Sequence, residues 1–292
     1  LAAEADILIE GFRPGVAERL GFGPDVCLAR NPRLVFGRMT GWGQEGPYAP
    51  AAGHDINYIA LAGALASFAR DGEQPTPPIN IVGDFGGGGM LLAFGVVCAA
   101  LSARTTGVGQ VVDAAMVDGS AVLMSMIWAF KGMGIWDSEA PGTNLLDTGA
   151  HFYDTYRCAD GTWISIGAIE PQFYAELLEK LELDPATLPA QQDVTRWSEL
   201  RDIFTAAFKA QTRDHWAKVF QGSDACTTPV LSFAEVETEP HITERDTFFR
   251  FADGGDNLEP MPAPRFSRSV PGTPTPPRAP GSDTESVLRD WA

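Results

Sequence analysis

Cysteine is scarce in this chain. Its four thiols, Cys27, Cys98, Cys158 and Cys226, are scattered through 292 residues with no CxxC pair. That argues against a disulfide scaffold or a zinc site and for a reducing compartment, the cytoplasm by default. Histidine is as sparse: His151, His215 and His241 lack metal-ligand spacing, and His215 and His241 read as surface or packing residues. Positive charge is outnumbered, 21 Lys and Arg against 38 Asp and Glu, for a formal charge of −17. So acidic a surface repels nucleic-acid phosphates and anionic membranes. No apolar run reaches the ~18–20 residues that span a bilayer, and no signal-peptide pattern opens the chain. A P-loop and a Gly-x-Ser-x-Gly elbow are also missing, which removes the simplest phosphate-cradle and acyl-hydrolase readings.

What is present is ordinary globular material, 45% hydrophobic and 20% charged, long enough for two domains. The short apolar runs "DILIEGF", "RLVFGRM" and "GQVVDAAM" alternate with apolar helical stretches at 54–69, about 85–104 and 117–134. That alternation predicts an α/β fold, with an open, mostly parallel sheet covered by helices. The turn-rich stretch 137–150 reads as a linker, and "YDTYRCADGTWISIGAI" as a hairpin around Asp160-Gly161. Helices are expected at about 171–182, 196–209, 213–221 and 232–245. The predicted organisation is a large domain over 1–136, a linker over 137–150, a smaller α+β domain over 151–250, and a strap with a last helix over 251–292. The Gly- and Pro-rich part of the strap covers 253–282. The opening "LAAEADILIEGF" carries no initiator methionine and reads as a chain lacking the first part of its large domain.

Three stretches carry candidate chemistry. In "AAGHDINYIALAG", Gly53 can supply an unusual backbone angle where a helix begins. His54 and Asp55 then stand beside the first free N–H groups, which suit an oxygen gaining negative charge. Ile56, Tyr58 and Ile59 read as core, and Asp55 is alternatively a plain cap. In "NIVGDFGGGGM", Asp84 precedes four glycines, each costing roughly 1 kcal/mol in a helix relative to alanine. Close approach of another group would offset that cost. In "GAIEPQFY", Glu170 ends an apolar strand just before Pro171, as a catalytic carboxylate or simply as a cap. An imidazole and two carboxylates at the mouths of apolar elements suffice for two acid/base groups and an orienting partner. Arg13, Arg19 and Arg38 suggest a site for a phosphorylated ligand. Met116, Met124, Met126 and Met133, with Trp128 and Trp136, form a stripe that is either core or an adaptable apolar surface.

Taken together, "IEGFRPGVAERLGFGP", "MTGWGQEGP", "AGHDINYIALAG", "NIVGDFGGGG", "QVVDAAMVDG" and "GAIEPQFY" resemble the class III (CaiB/BaiF-type) CoA-transferase family over essentially the whole chain. Within the family the likeness is greatest to the α-methylacyl-CoA racemase branch, particularly its bacterial members. The resemblance implies an interlocked homodimer with a Rossmann-like large domain. The active site would form between the large domain of one subunit and the small domain of the other. It places the catalytic residues at His54, Asp84 and Glu170, with Glu170 paired to the histidine. It implies CoA contacts at Gly11, Phe12, Arg13 and Arg19, and thioester contacts at Gly53, Asp55, Ile56, Asn57 and Tyr58. The reaction it implies is epimerisation of 2-methylacyl-CoA with no metal or redox cofactor, CoA being part of the substrate. The alternative in the same fold is a CoA transferase that forms an acyl anhydride at Asp84. Such enzymes typically carry a glycine-rich loop in the small domain, and the sequence has none there.

Overall fold

Short apolar runs bounded by turn formers take up the strands of the first sheet. Ile7–Glu10 (β1), Val35–Thr40 (β2) and Gln110–Ala115 (β3) are parallel, in the order β1-β2-β3. The computed structural model describes residues 1–251 and 257–291, so 252–256 and 292 of the expected strap and last helix lie outside the described residues. Parallel strands need crossovers, and helices supply them. Val16–Arg19 (α1) and Pro24–Arg30 (α2) lie between β1 and β2. Asp55–Leu61 (α3), a wide coil over Ile81–Met90 and Leu91–Thr106 (α4) lie between β2 and β3. Met116–Leu123 (α5) and Ser125–Gly132 (α6) follow. The strand β2 is covered on both faces. Leu34 and Phe36 pack with Cys27 of α2 on one side, and Val35 packs with Leu92, Val96, Ala99 and Ala103 of α4 on the other.

The helix expected over 85–104 begins earlier than the glycines allow one to guess. The coil Ile81–Met90 has the i→i+5 turn of a π-helix and runs without a break into α4. Together they make a 26-residue helix, long and apolar enough by length and composition to cross a membrane, with mean hydropathy 1.8 over an 18-residue window. This corrects the sequence reading, which began the helix at about 85 and found no apolar run long enough to span a bilayer. One side of this helix packs on the sheet; Phe85, Phe94, Val97 and Leu101 on the other are exposed. The glycines have the expected reason, a close approach. Here α5 crosses the coil so tightly that a Cβ on Gly119 would sit 1.9 Å from the Gly87 carbonyl oxygen.

A second sheet is antiparallel. Tyr153–Arg157 (β4) and Trp163–Gly167 (β5) flank the Asp160-Gly161 turn, with Gly161 at φ 82°, and Thr227–Pro229 (β6) pairs with β5. Its core is aromatic: Phe152, Tyr156, Phe204, Phe208 and Trp216 pack beneath Pro171–Lys180 (α7), Trp197–Lys209 (α8) and Arg213–Phe220 (α9). The single helix expected over 232–245 is two, Phe233–Val236 (α10) and Pro240–Glu244 (α11). Pro240, with no amide hydrogen to continue a helix, starts the second. Thr284–Trp291 forms α12. Buried Asp154 on β4 joins the two sheets' surroundings, pairing with Arg70 at 2.7 Å and with Arg201 of α8.

His151, just before β4, is 0% exposed among the rings of Phe152, Tyr174 and Phe204. Its Nε2 lies 2.9 Å from the Tyr174 hydroxyl, and its Nδ1 has no hydrogen-bond partner among the described residues. Burial, and secondarily the Arg201 charge, pushes the imidazole pKa down to about 3. The same burial pushes Tyr174 up to about 12.

Candidate active site

In open parallel sheets ligands bind beyond the carboxyl ends of the strands. A cleft of 320 Å³ lies there, lined by Gly11–Pro14 after β1, Met39–Trp42 at the end of β2, and Met116 after β3. Gly53, His54 and Tyr58, from the start of α3, close its other side. Of the residues the sequence singled out, Gly11, Phe12, Arg13, Gly53, His54 and Tyr58 meet around this one cleft.

The loop after β1 is shaped from beneath. Glu10 Oε2 accepts the Phe12 N–H at 2.7 Å, and Glu10 Oε1 accepts from Arg38 Nε at 2.6 Å. Arg38 also reaches Glu18 at 2.8 Å and holds that carboxyl below its ordinary pKa. Arg38 is therefore not a phosphate ligand, as the arginine cluster had suggested. It is 5% exposed and spent on two carboxylates. Arg19 is exposed, bonded to the Gly15 carbonyl at 3.3 Å, and lies outside the cleft lining; Arg13 alone of the three faces the cleft. Glu10→Ala would leave the buried Arg38 Nε without an acceptor and Glu18 as the guanidinium's remaining carboxylate, at a cost of about 1–3 kcal/mol. Urea unfolding of that variant against wild type checks this, and a change under 1 kcal/mol would refute it.

At the mouth of α3, His54 occupies the capping position with extended backbone, φ −132° and ψ 172°. Its N–H donates to Asn57 Oδ1 at 3.0 Å, while the Asn57 and Tyr58 amides turn to the His54 carbonyl. That leaves the Asp55 and Ile56 amides as the helix's first donors with no intrahelical acceptor. Tyr58 and Ile59 are buried as expected, but Ile56 is exposed, as is Asn57, and neither lines the cleft. The helix is not capped by Asp55. Gly53 is needed for space rather than for an unusual φ: a Cβ there would lie 2.7 Å from the Tyr58 ring and 2.9 Å from Trp42. The Tyr58 hydroxyl donates to the Gly53 carbonyl at 2.5 Å. Burial pushes that hydroxyl's pKa up, Asp84 adds to the shift and Arg13 opposes it.

Asp84 lies in the first turn of the wide coil, half-buried. Its amide, like that of Gly83, donates to the carboxylate of Asp55, at 2.8 and 2.7 Å. The neighbours of His54 and the backbone of Asp84 are thus in direct contact, though 29 residues apart in sequence. Glu170 is not brought to either. It precedes α7 as its exposed N-cap, near enough to Cys226 to raise that thiol's pKa after burial has done so. Met124, Trp128 and Trp136 line a separate cavity of 220 Å³ beyond the far end of α3, beside Gly63 and Lys131. Met126 and Met133 are exposed. Sequence reasoning missed Met39, Thr40, Trp42 and Glu10; the strand-end rule alone would have pointed to the first two.

The arrangement offers an exposed imidazole at a helix mouth, free backbone donors beside it, Asp84 tied to the same mouth through its amide though outside the cleft lining, and Arg13 as a cationic entrance. It can remove a proton next to a carbonyl and hold the resulting oxyanion. Residues 1–284 match CoA-transferase family III. The α-methylacyl-CoA racemases of Mus musculus and Homo sapiens are 45% and 43% identical to the chain, each match covering 100% of it and 76% of the relative. The crystal structure of a CAIB/BAIF family protein from Brucella suis shares its fold, with a TM-score of 0.80 at 20% identity. That match covers 100% of this chain and 76% of the other.

Proposed function

The chain belongs to CoA-transferase family III, and on that premise we propose that it inverts the α-carbon of 2-methylacyl-CoA thioesters. It is an isomerase, an α-methylacyl-CoA racemase. The α-hydrogen of a thioester becomes removable once the enolate oxygen is stabilised. The free amides at the start of α3 suit that task, and preorganised donors of this kind are worth roughly 3–4 kcal/mol each. Neutral His54 takes the proton from one face, and protonated Asp84 delivers one to the other. The opposite enantiomer is handled with His54 protonated and Asp84 ionised. The observation that carries this reading is the Asp55 contact, which joins the segments bearing His54 and Asp84.

Gly11, Phe12, Arg13 and Arg19 would hold CoA, whose phosphates suit the cationic entrance in an otherwise acidic chain. Gly53, Asp55, Ile56, Asn57 and Tyr58 would face the thioester, through backbone where the side chain turns away. Met124, Trp128 and Trp136 would give the acyl chain an adaptable apolar wall. Glu170 would stabilise the His54 imidazolium from a second subunit of an interlocked homodimer. Each subunit would contribute a Rossmann-like large domain over 1–136 and a small domain over 151–250. The linker is 137–150, and 251–292 returns to the large domain. Side chains and backbone donors suffice for every proton moved, so neither metal nor redox cofactor enters the scheme. A cytoplasmic location fits the four free thiols.

The test is one enantiomer of a 2-methylacyl-CoA in deuterium oxide. Deuterium at the α-carbon together with both epimers is the expected result. No α-exchange, but transfer of CoA to an added carboxylic acid, would replace this reading with a transferase acting through Asp84.

A further inference from the structure

We infer that Asp55 is a positioning residue whose carboxylate fixes the separation of the two bases, an assignment that rests on the two-base reading above. Asp55 is 4% exposed, and the side chain turns away from the cleft toward the wide coil. One oxygen, Oδ2, accepts from both Gly83 N–H, at 2.7 Å, and Asp84 N–H, at 2.8 Å. These amides belong to the first turn of the coil and have no intrahelical acceptor, so a carboxylate meets an unsatisfied pair of donors and the positive end of a helix. The fit is tight: a Cβ on Gly83 would stand 2.7 Å from that same oxygen. Oδ1 is buried and has no hydrogen-bond partner among the described residues.

The consequence is geometric. Asp55 follows His54 in the chain and binds the amide of Asp84, so one side chain sets how far apart the two bases stand. A proton can leave one face and return to the same face with a single aligned base. Inversion needs both bases at the α-carbon at once. Loss of the tie should therefore uncouple two processes that wild-type enzyme performs together.

The test measures α-deuterium exchange and epimer formation in the same incubation of a 2-methylacyl-CoA in deuterium oxide. In Asp55→Ala, inversion is expected to fall on the order of 10²-fold, the cost of about 1 Å of misplacement. Deuterium entering recovered starting enantiomer should fall far less. Asp55→Asn presents one oxygen to the same two amides and should keep the wild-type ratio of exchange to inversion. Asp55→Glu, too long for the space beside Gly83, should raise the ratio as alanine does and serves if the alanine chain does not fold. Exchange and inversion falling by one factor in these variants, or asparagine behaving like alanine, would overturn the assignment. Wild-type enzyme with no exchange at all would overturn the racemase reading, and this assignment with it.

Discussion

Replacing His54 by alanine is expected to lower racemisation about 10³-fold, within the range lost with a single acid/base group. The loss should fall on kcat, with KM little changed, because the residues proposed to hold CoA stay in place. The fold should survive. His54 is exposed, and the capping bond it makes through its backbone, from its N–H to Asn57, does not need the imidazole. Asp84→Ala should match it in magnitude, since inversion in either direction uses both groups. The subunit arrangement makes a sharper claim. If Glu170 of one subunit serves His54 of the other, a His54→Ala chain mixed with a Glu170→Ala chain should regain activity. Random pairing restores one intact site in half the dimers, about a quarter of all sites. Mixtures no more active than the separate variants would mean that Glu170 does not act across the interface. A His54→Ala enzyme within tenfold of wild type would remove the imidazole from the mechanism.

Acid should unfold this protein through His151 as well as through its carboxylates. Its folded pKa of about 3 lies below the ordinary value of 6.5. Between those limits the unfolded chain binds a proton that the folded chain refuses. Stability from this group is therefore complete above pH 6.5 and is lost as pH falls toward 3, at about 1.4 kcal/mol per pH unit. The whole effect is on the order of 5 kcal/mol, a large share of what a domain has. His151→Gln keeps a partner for Tyr174 and cannot titrate. The difference in unfolding free energy between the two proteins, followed by urea titration from pH 7 to 4, should shrink as pH falls. A difference that stays constant with pH would show that His151 is not held neutral by the fold.

The parallel strands and the hairpin were legible because their signals are local: apolar runs of strand length, and a turn whose glycine takes φ 82°. The role of the four glycines was legible in kind, since close approach is what excuses glycine in a helix. The partner was not, because Gly119 lies some thirty residues on and carries no mark of its own. Arg38 was misread for the same reason. A strand-end arginine looks available for phosphate until Glu10 and Glu18 are seen to enclose it. Ile56 was misassigned to the core because helical periodicity gives the spacing of a face but not its direction. Asp55 was read as a cap, a local bond, when its partners come from a segment the chain reaches only after the loop that follows α3.

The wide coil carries a further consequence, one of phase. Each of its turns holds more residues than an α-turn, so the bearing of Asp84 relative to the ridge of α4 is set by a count of residues as much as by their identity. Remove one glycine and let the coil tighten, and Asp84 would swing by about 100° around the axis, taking its amide away from Asp55. Two sequences could then share every motif letter here and still aim this aspartate in different directions. In this stretch, length is part of the chemical code.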